Sequence, residues 1–252
     1  MWIWKNGGRP HYTFNSSPCV ANCVLFFTFS YLPLTINIEM DIKTRIIKIN
    51  PELVKSDKIK IVAAVLQEEG IIAYPTDTFY GLGASCFSEK AIQRIYHLKK
   101  REPSKPISII ISDINMARNI AKDIPSLFWK MAGEFWPGPL TLVLKASSTL
   151  PTGLLGLGDS IGVRLPALSW VRELLEETAF PITATSANIS GKKEIANPGM
   201  IRDSFFGLVD LIVDGGETKG ALPSTVIDLT SARPVILREG AVPRSVLGKY
   251  LE

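Results

Sequence analysis

The chain of 252 residues predicts an α/β fold, a single domain built on an open, twisted, mixed β-sheet flanked by helices. Three observations carry that expectation. Beyond Met40, short β-prone runs alternate with amphipathic helical patterns, the order that places helices on the faces of a sheet. Hydrophobic residues make up 46% and charged residues 21% of the chain, which excludes disordered and fibrous classes. No repeat, low-complexity tract or interdomain linker interrupts residues 40–252, a length that buries a substantial core.

Each element has its own local reason. TRIIKIN (44–50) reads as a strand. Ile59, Val62, Ala63 and Leu66 recur at helical spacing, and Gly70 ends that helix. IIAYP (71–75) is a short buried strand. Ser88 is a good N-cap for SEKAIQRIYHLKK, whose Ile92, Ile95 and Tyr96 share one face. PISIIIS (106–112), PLTLVLKA (139–146), SIGVRLP (160–166), PITATS (181–186), DLIVDGG (210–216) and PSTVIDL (223–229) are strand-like. Amphipathic helices are expected near 125–135, 168–178 and 198–206.

Residues 1–39 read differently. They hold eight aromatics, Cys19 and Cys23, and no acidic residue before Glu39. Their apolar run CVLFFTFSYLPL has about half the length that spans a bilayer, so no membrane association is expected. We treat 1–39 as a leader, either disordered or preceding a true start at Met40, and 40–252 as the catalytic domain.

Composition also excludes chemistry. Beyond Met40 the chain has one cysteine, Cys86, and one histidine, His97. Disulfides cannot staple the domain, and a reducing compartment, the cytoplasm, is expected. A zinc site or a Ser-His or Cys-His nucleophile lacks parts. No P-loop is present, and GLLGLG (153–158) is not the dinucleotide fingerprint. The net charge of +4 is too mild for a surface that coats nucleic acid, so anion binding must come from local clustering.

Such a cluster exists. HLKKREPSKPISIIIS (97–112) crowds Lys99, Lys100, Arg101 and Lys105 around a helix end and turn. Lys99 continues the stripe of Ile95 and Tyr96, so its stem is expected on the core with its ammonium emerging at the helix end, where its loss would cost little stability. YPTDTFYGLG (74–83) reads either as a strand-to-helix connection whose Asp77 and threonines satisfy backbone groups, or as a ligand pocket at a strand's carboxyl end. In ATSANISG (184–191), Ser186 and Asn188 alternate and face the same way in extended backbone.

YPTDTFYGLG, the pair Lys99 and Arg101, WPGPLTLVL, GVRLP, ATSANISG, DGG, PSTVIDL and ILREGAV occur in the order seen in the YrdC-like family, and the chain resembles that family over roughly residues 55–242. The resemblance implies a YrdC-like domain with a concave basic face and a threonylcarbamoyl-AMP synthase activity. Such enzymes join L-threonine, bicarbonate or carbon dioxide, and ATP, releasing pyrophosphate, for N6-threonylcarbamoyladenosine in transfer RNA. It implies a functional tetrad of Lys99, Arg101, Ser186 and Asn188. ATP would meet Arg101, Lys105, Ser160, Ser186 and Arg238. Threonine would meet Thr78, Arg164, the Ala184 backbone and Ser224, with Thr76 sharing the role of Thr78. Magnesium would accompany ATP without dedicated protein ligands, and transfer RNA and a threonylcarbamoyl-transferase complex are implied partners.

The chain departs from the family pattern at three points. Glu102 follows Arg101 where many members have proline, and Ile110 stands where some have histidine. The chain also stops shortly after the last motif, as in the short, single-domain type. Two alternatives stay open from the sequence: a paralogue of the same fold without synthase activity, and an RNA-binding module.

Overall fold

The computed structural model describes residues 42–220 and 222–251. The leader assigned to residues 1–39 lies outside the described residues. The first half contains β1 (Arg45–Lys48), α1 (Ser56–Gln67), β2 (Ile72–Pro75), β3 (Tyr80–Gly83), α2 (Glu89–Lys99), β4 (Ile109–Ile110), α3 (Ala117–Ile120) and α4 (Ser126–Phe135). Then come β5 (Leu140–Lys145), α5 (Thr152–Leu155), β6 (Ser160–Arg164), α6 (Ser169–Thr178), β7 (Ile182–Thr183) and β8 (Thr185–Ser186). The chain closes with α7 (Pro198–Phe205), β9 (Leu211–Asp214), β10 (Thr225–Asp228), β11 (Val235–Arg238) and α8 (Arg244–Leu247).

The strands form two ladders, β1-β9-β2-β3-β8 and β11-β10-β5-β6-β4-β7. Both mix parallel and antiparallel pairs: β9 lies parallel to β1 and β2, while β3 is antiparallel to β2 and β8. The segment 181–187 joins them. Its β7 end pairs with β4, and its β8 end pairs with β3. Between the two, Thr183 N donates to Ala84 O (2.8 Å), Ser85 bridges Ile182, and Ala184 N turns away to Ser108 O (2.7 Å). The expected mixed sheet is therefore present, hinged where one short segment changes partners at Ala184.

Local chemistry explains the helices that hold this sheet. Ser88 caps α2 by accepting from Ala91 N, and Asn197 caps α7 by accepting from Gly199 N (2.8 Å), with Pro198 in the first turn. α1 and α6 bury Ile59, Val62, Leu66, Trp170 and Leu174 over β2 and β9. A larger cluster, built on Ile92, Ile95, Phe128, Leu142, Ile161 and Ile227, packs α2 and α4 against strands of both ladders, including Ala73 of β2 and Ile212 of β9. Ile110 joins the α1/α6 cluster and is 4% exposed.

The stretch 74–83 differs from a strand-to-helix connection. It is a tight antiparallel return, β2 to β3, with Tyr74 opposite Gly81. The glycines are required because the Tyr74 ring lies across them: a Cβ on Gly81 would stand 3.3 Å from the ring and one on Gly83 only 2.9 Å. PISIIIS supplies only a two-residue strand, β4, because its first residues belong to the loop that lines the site described next.

Candidate active site

Distant segments converge on one cavity: the β2–β3 turn, the basic turn after α2, β5, the end of β6, the 181–187 hinge, the approach to β10, and the end of β11. Its lining includes Thr76, Thr78, Arg101, Arg164, Ala184, Ser186, Ser224 and Arg238, eight of the twelve residues singled out from the sequence. Lys99, Lys105, Ser160 and Asn188 do not line it.

Lys99 differs most from expectation. Its ammonium does not emerge at the helix end; the residue is 1% exposed. Nζ donates to Ser186 O, to Asn188 O (2.8 Å) and to Asn188 Oδ1 (3.0 Å), which uses all three of its protons. Ser186 Oγ also donates to Asn188 Oδ1 (2.6 Å), and Asn188 Nδ2 donates to Lys192 O (2.5 Å). Lys99 and Asn188 thus lie directly beneath the cavity wall and hold the 186–192 segment in place. Burial, with Arg101 adding repulsion and Glu194 opposing it, lowers the Lys99 pKa to about 8.

The turn after α2 sorts the remaining charges. Lys100 adopts a left-handed conformation (φ 48°), and Arg101 N closes back on Tyr96 O (2.9 Å). Arg101 then folds over the turn, donating from Nε to Lys105 O (3.2 Å) and from Nη2 to Pro106 O (2.8 Å), and the residue lines the cavity. Lys105 points outward and pairs with Glu102 at 3.1 Å; their side chains are 57% and 69% exposed.

Across the cavity, Arg238 donates from Nε and Nη2 to Ser224 O (3.2 and 2.9 Å), and Ser224 Oγ meets Thr141 Oγ1 at 2.9 Å. Thr76 Oγ1 lies 3.2 Å from Thr78 Oγ1 and donates to Phe79 O (2.6 Å). Arg164, at the end of β6, donates from Nε to Gly138 O (2.9 Å) and pairs with Asp77. Asp77 therefore holds a guanidinium, not backbone groups.

Sequence reasoning passed over Tyr74, Ser108, Thr141 and Glu194 as lining residues. Glu194 is the one carboxylate among them, and its charge acts on Lys99 and Arg238. No sequence signal marked it, since it follows Lys192 and Lys193 in what reads as a solvated loop. Among the described residues no group of three or more His, Cys, Asp or Glu could hold a metal ion, and no helix is long and apolar enough to cross a membrane.

A profile named for Sua5, YciO and YrdC, and described as "Telomere recombination", matches residues 64–240. The chain belongs to the Sua5/YciO/YrdC family. It is 40% identical over 200 residues to a threonylcarbamoyl-AMP synthase of Pyrococcus abyssi, covering 79% of this chain and 59% of that one. It thus spans less than two thirds of that relative's length. A putative threonylcarbamoyl-AMP synthase of Methanocaldococcus jannaschii is 35% identical over 213 residues, covering 83% of this chain and 100% of its own. Among solved structures, P. abyssi Sua5 complexed with L-threonine superposes with a TM-score of 0.79 at 40% identity, covering 82% of this chain and 61% of that one. E. coli YciO superposes at 0.75 and 28% identity, covering 82% of this chain and 100% of its own. These family members share the open mixed sheet and its helices. A likeness to full-length HypF, at 22% identity and a TM-score of 0.63, concerns the fold alone.

Proposed function

We propose that the protein is a nucleotidyltransferase that forms L-threonylcarbamoyl-AMP and pyrophosphate from L-threonine, carbon dioxide or bicarbonate, and ATP. The observation that carries this reading is the convergence of Arg101, Arg164 and Arg238, from three distant segments, with the hydroxyls of Thr76, Thr78, Ser186 and Ser224 on one cavity. Arg101 and Arg238, which line a shared space, suit a ligand with several negative charges, while Arg164 is already paired with Asp77. Relatives named threonylcarbamoyl-AMP synthase at 40% and 35% identity, and a relative's complex with L-threonine, support the same reading.

The chemistry needs no protein nucleophile. The amine of threonine adds to carbon dioxide, forming an N–C bond and releasing a proton to solvent. A carbamate oxygen then attacks the α-phosphorus; the new O–P bond forms as the bond to the bridging oxygen breaks, and pyrophosphate leaves with the electron pair. Arg101 and Arg238 would stabilise the charge that develops on the phosphates, and Arg164 would hold the threonine carboxylate beside Thr76, Thr78, Ser224 and the Ala184 backbone. Lys99 and Asn188 would act from beneath, fixing Ser186 at the wall. Lys105 and Ser160 would meet the nucleotide only at the rim. Magnesium accompanying ATP would neutralise part of the phosphate charge without dedicated protein ligands, Glu194 being the one carboxylate among the lining residues.

One departure from the family pattern bears on the alternative of an inactive paralogue. Glu102, next to Arg101, is turned out to Lys105 and does not line the cavity, so its carboxylate does not oppose the phosphates there. Delivery to transfer RNA, through a transferase partner in the cytoplasm, completes the proposal. The test is incubation with ATP, bicarbonate and labelled threonine. Labelled threonylcarbamoyl-AMP is expected, with pyrophosphate release that stops when any substrate is omitted. RNA binding without any ATP turnover would favour the binding-module alternative.

A further inference from the structure

Among the described residues, three cationic groups in or beneath the cavity wall make no ion pair. Lys99 spends its protons on Ser186 O, Asn188 O and Asn188 Oδ1. Arg101 donates to the carbonyls of Lys105 and Pro106, and Arg238 to the carbonyl and hydroxyl of Ser224. Such bonds satisfy donors, but neutral acceptors leave the positive charge uncompensated. Arg164 differs, since Asp77 pairs with it. The one carboxylate among the lining residues is that of Glu194.

Glu194 is held at the cavity without being locked to a cation. Its backbone is pinned on both sides: Asn188 Nδ2 donates to Lys192 O (2.5 Å), Tyr80 N to Ile195 O (2.9 Å) and Thr218 N to Ala196 O (3.0 Å). Ile195, next to it, is buried. Glu194 itself is half-buried, and among the described residues no ion pair takes its carboxylate. Its negative charge still reaches Lys99 and Arg238 and favours the charged form of each. It is therefore a counter-charge shared among the cations, and the same charge repels a polyanion that enters between them.

We propose that Glu194 is an affinity-limiting residue, whose carboxylate opposes the phosphates of a bound nucleotide and keeps the product pyrophosphate from being held tightly. The inference rests on the nucleotide reading of this cavity and adds a residue to it. Pyrophosphate keeps phosphates that ATP presents to Arg101 and Arg238, so cations that hold the substrate also hold this product. Tighter ground-state binding gains nothing once ATP saturates the site, whereas slow product release limits turnover. One fixed negative charge among the arginines weakens both complexes and leaves the donors in place. Glu102, turned out to Lys105, does not act in that way.

The test measures binding of inorganic pyrophosphate and of ATP to the full chain by calorimetry, at one fixed magnesium concentration. Glu194→Gln removes the charge and keeps the shape. It is expected to bind pyrophosphate about fivefold to tenfold tighter than the wild type, and ATP tighter too, the scale of one screened charge–charge interaction. Glu194→Asp keeps the charge and is expected to stay close to the wild type. Unchanged or weaker pyrophosphate binding in Glu194→Gln would overturn the proposal. So would a gain as large in Glu194→Asp as in Glu194→Gln, which would assign the effect to shape. If Glu194→Gln does not fold, Glu194→Ala takes its place, and failure of both to fold would assign a structural role and overturn the proposal too. A wild type and Glu194→Gln that bind neither ATP nor pyrophosphate would instead sink the nucleotide reading of the cavity, and this role with it.

Discussion

Lys99 and Lys105 come from one short basic turn, yet the fold gives them opposite environments. Lys99 is 1% exposed, with its ammonium on three oxygens of the 186–188 segment, whereas the Lys105 side chain is 57% exposed and meets only Glu102. The left-handed residue between them, Lys100, is what parts them: it ends α2 and throws the chain outward while Lys99 stays on the helix's buried face. A run of like charges is therefore not one electrostatic object. One lysine is buried in the core, one arginine lines the cavity, and one lysine faces solvent beside Glu102. Lys105 is paired off by Glu102, whereas Arg101 still repels the buried Lys99 and helps to lower its pKa.

The sharpest way to break this contrast is to remove Lys99. Lys99→Ala strips a buried stem and leaves the carbonyls of Ser186 and Asn188 without their donor, so a loss of about 2–4 kcal/mol of stability is expected together with loss of adenylate formation. Denaturant titration and pyrophosphate release check both. A stable, active variant would return Lys99 to the surface role that its place at a helix end suggests.

A subtler effect follows from the Lys99 pKa of about 8 in the folded protein, below that of an ordinary lysine. Below pH 8 both folded and unfolded chains carry the proton, and the cost of burying the charge is fully present. Between pH 8 and the unfolded value near 10.4 the unfolded chain binds more protons, so stability rises with pH. Unfolding free energies from pH 7.5 to 10 should show this rise in the wild type and a flatter profile in Lys99→Met. Pyrophosphate release is expected to fall over the same range. Identical profiles for both proteins would contradict the buried-charge account.

The smallest effect is expected at the other end of the comparison. An exposed pair such as Lys105–Glu102 is worth roughly 0 to 1 kcal/mol, so Lys105→Ala should hardly move the melting temperature. Its activity cost should be a several-fold higher ATP requirement with turnover preserved, as suits a contact at the rim. A loss as large as that of Lys99→Ala would place Lys105 inside the site.

How much of this was legible depends on the range of the interactions. The long amphipathic helices and the Ser88 cap follow from local rules, and α1, α2, α4, α6 and α7 lie where periodicity places them. β3 was hidden because its glycines read as loop; they exist to admit the Tyr74 ring from the neighbouring strand, a contact no window of sequence contains. The hinge at Ala184 was hidden for the same reason, since PITATS reads as one strand until Ser108 claims the Ala184 N–H. Within the site, arginines and hydroxyls stood in recognisable motifs. The acidic partners did not: Asp77 looks like a turn residue until Arg164 arrives from β6, and Glu194 looks like part of a charged loop.

The central claim is that the cavity, not the basic turn as such, is where ATP reacts. Arg238 tests it most directly, because it comes from β11 and reaches the same space as Arg101. The measurement is the steady-state rate of pyrophosphate release by Arg238→Ala, with L-threonine, bicarbonate and ATP present and folding monitored by circular dichroism. One lost charged contact to the reacting phosphates is worth about two to four kcal/mol of barrier, so a drop of at least about a hundredfold in kcat/KM for ATP is expected in a folded protein. Near-normal turnover by folded Arg238→Ala would contradict the claim.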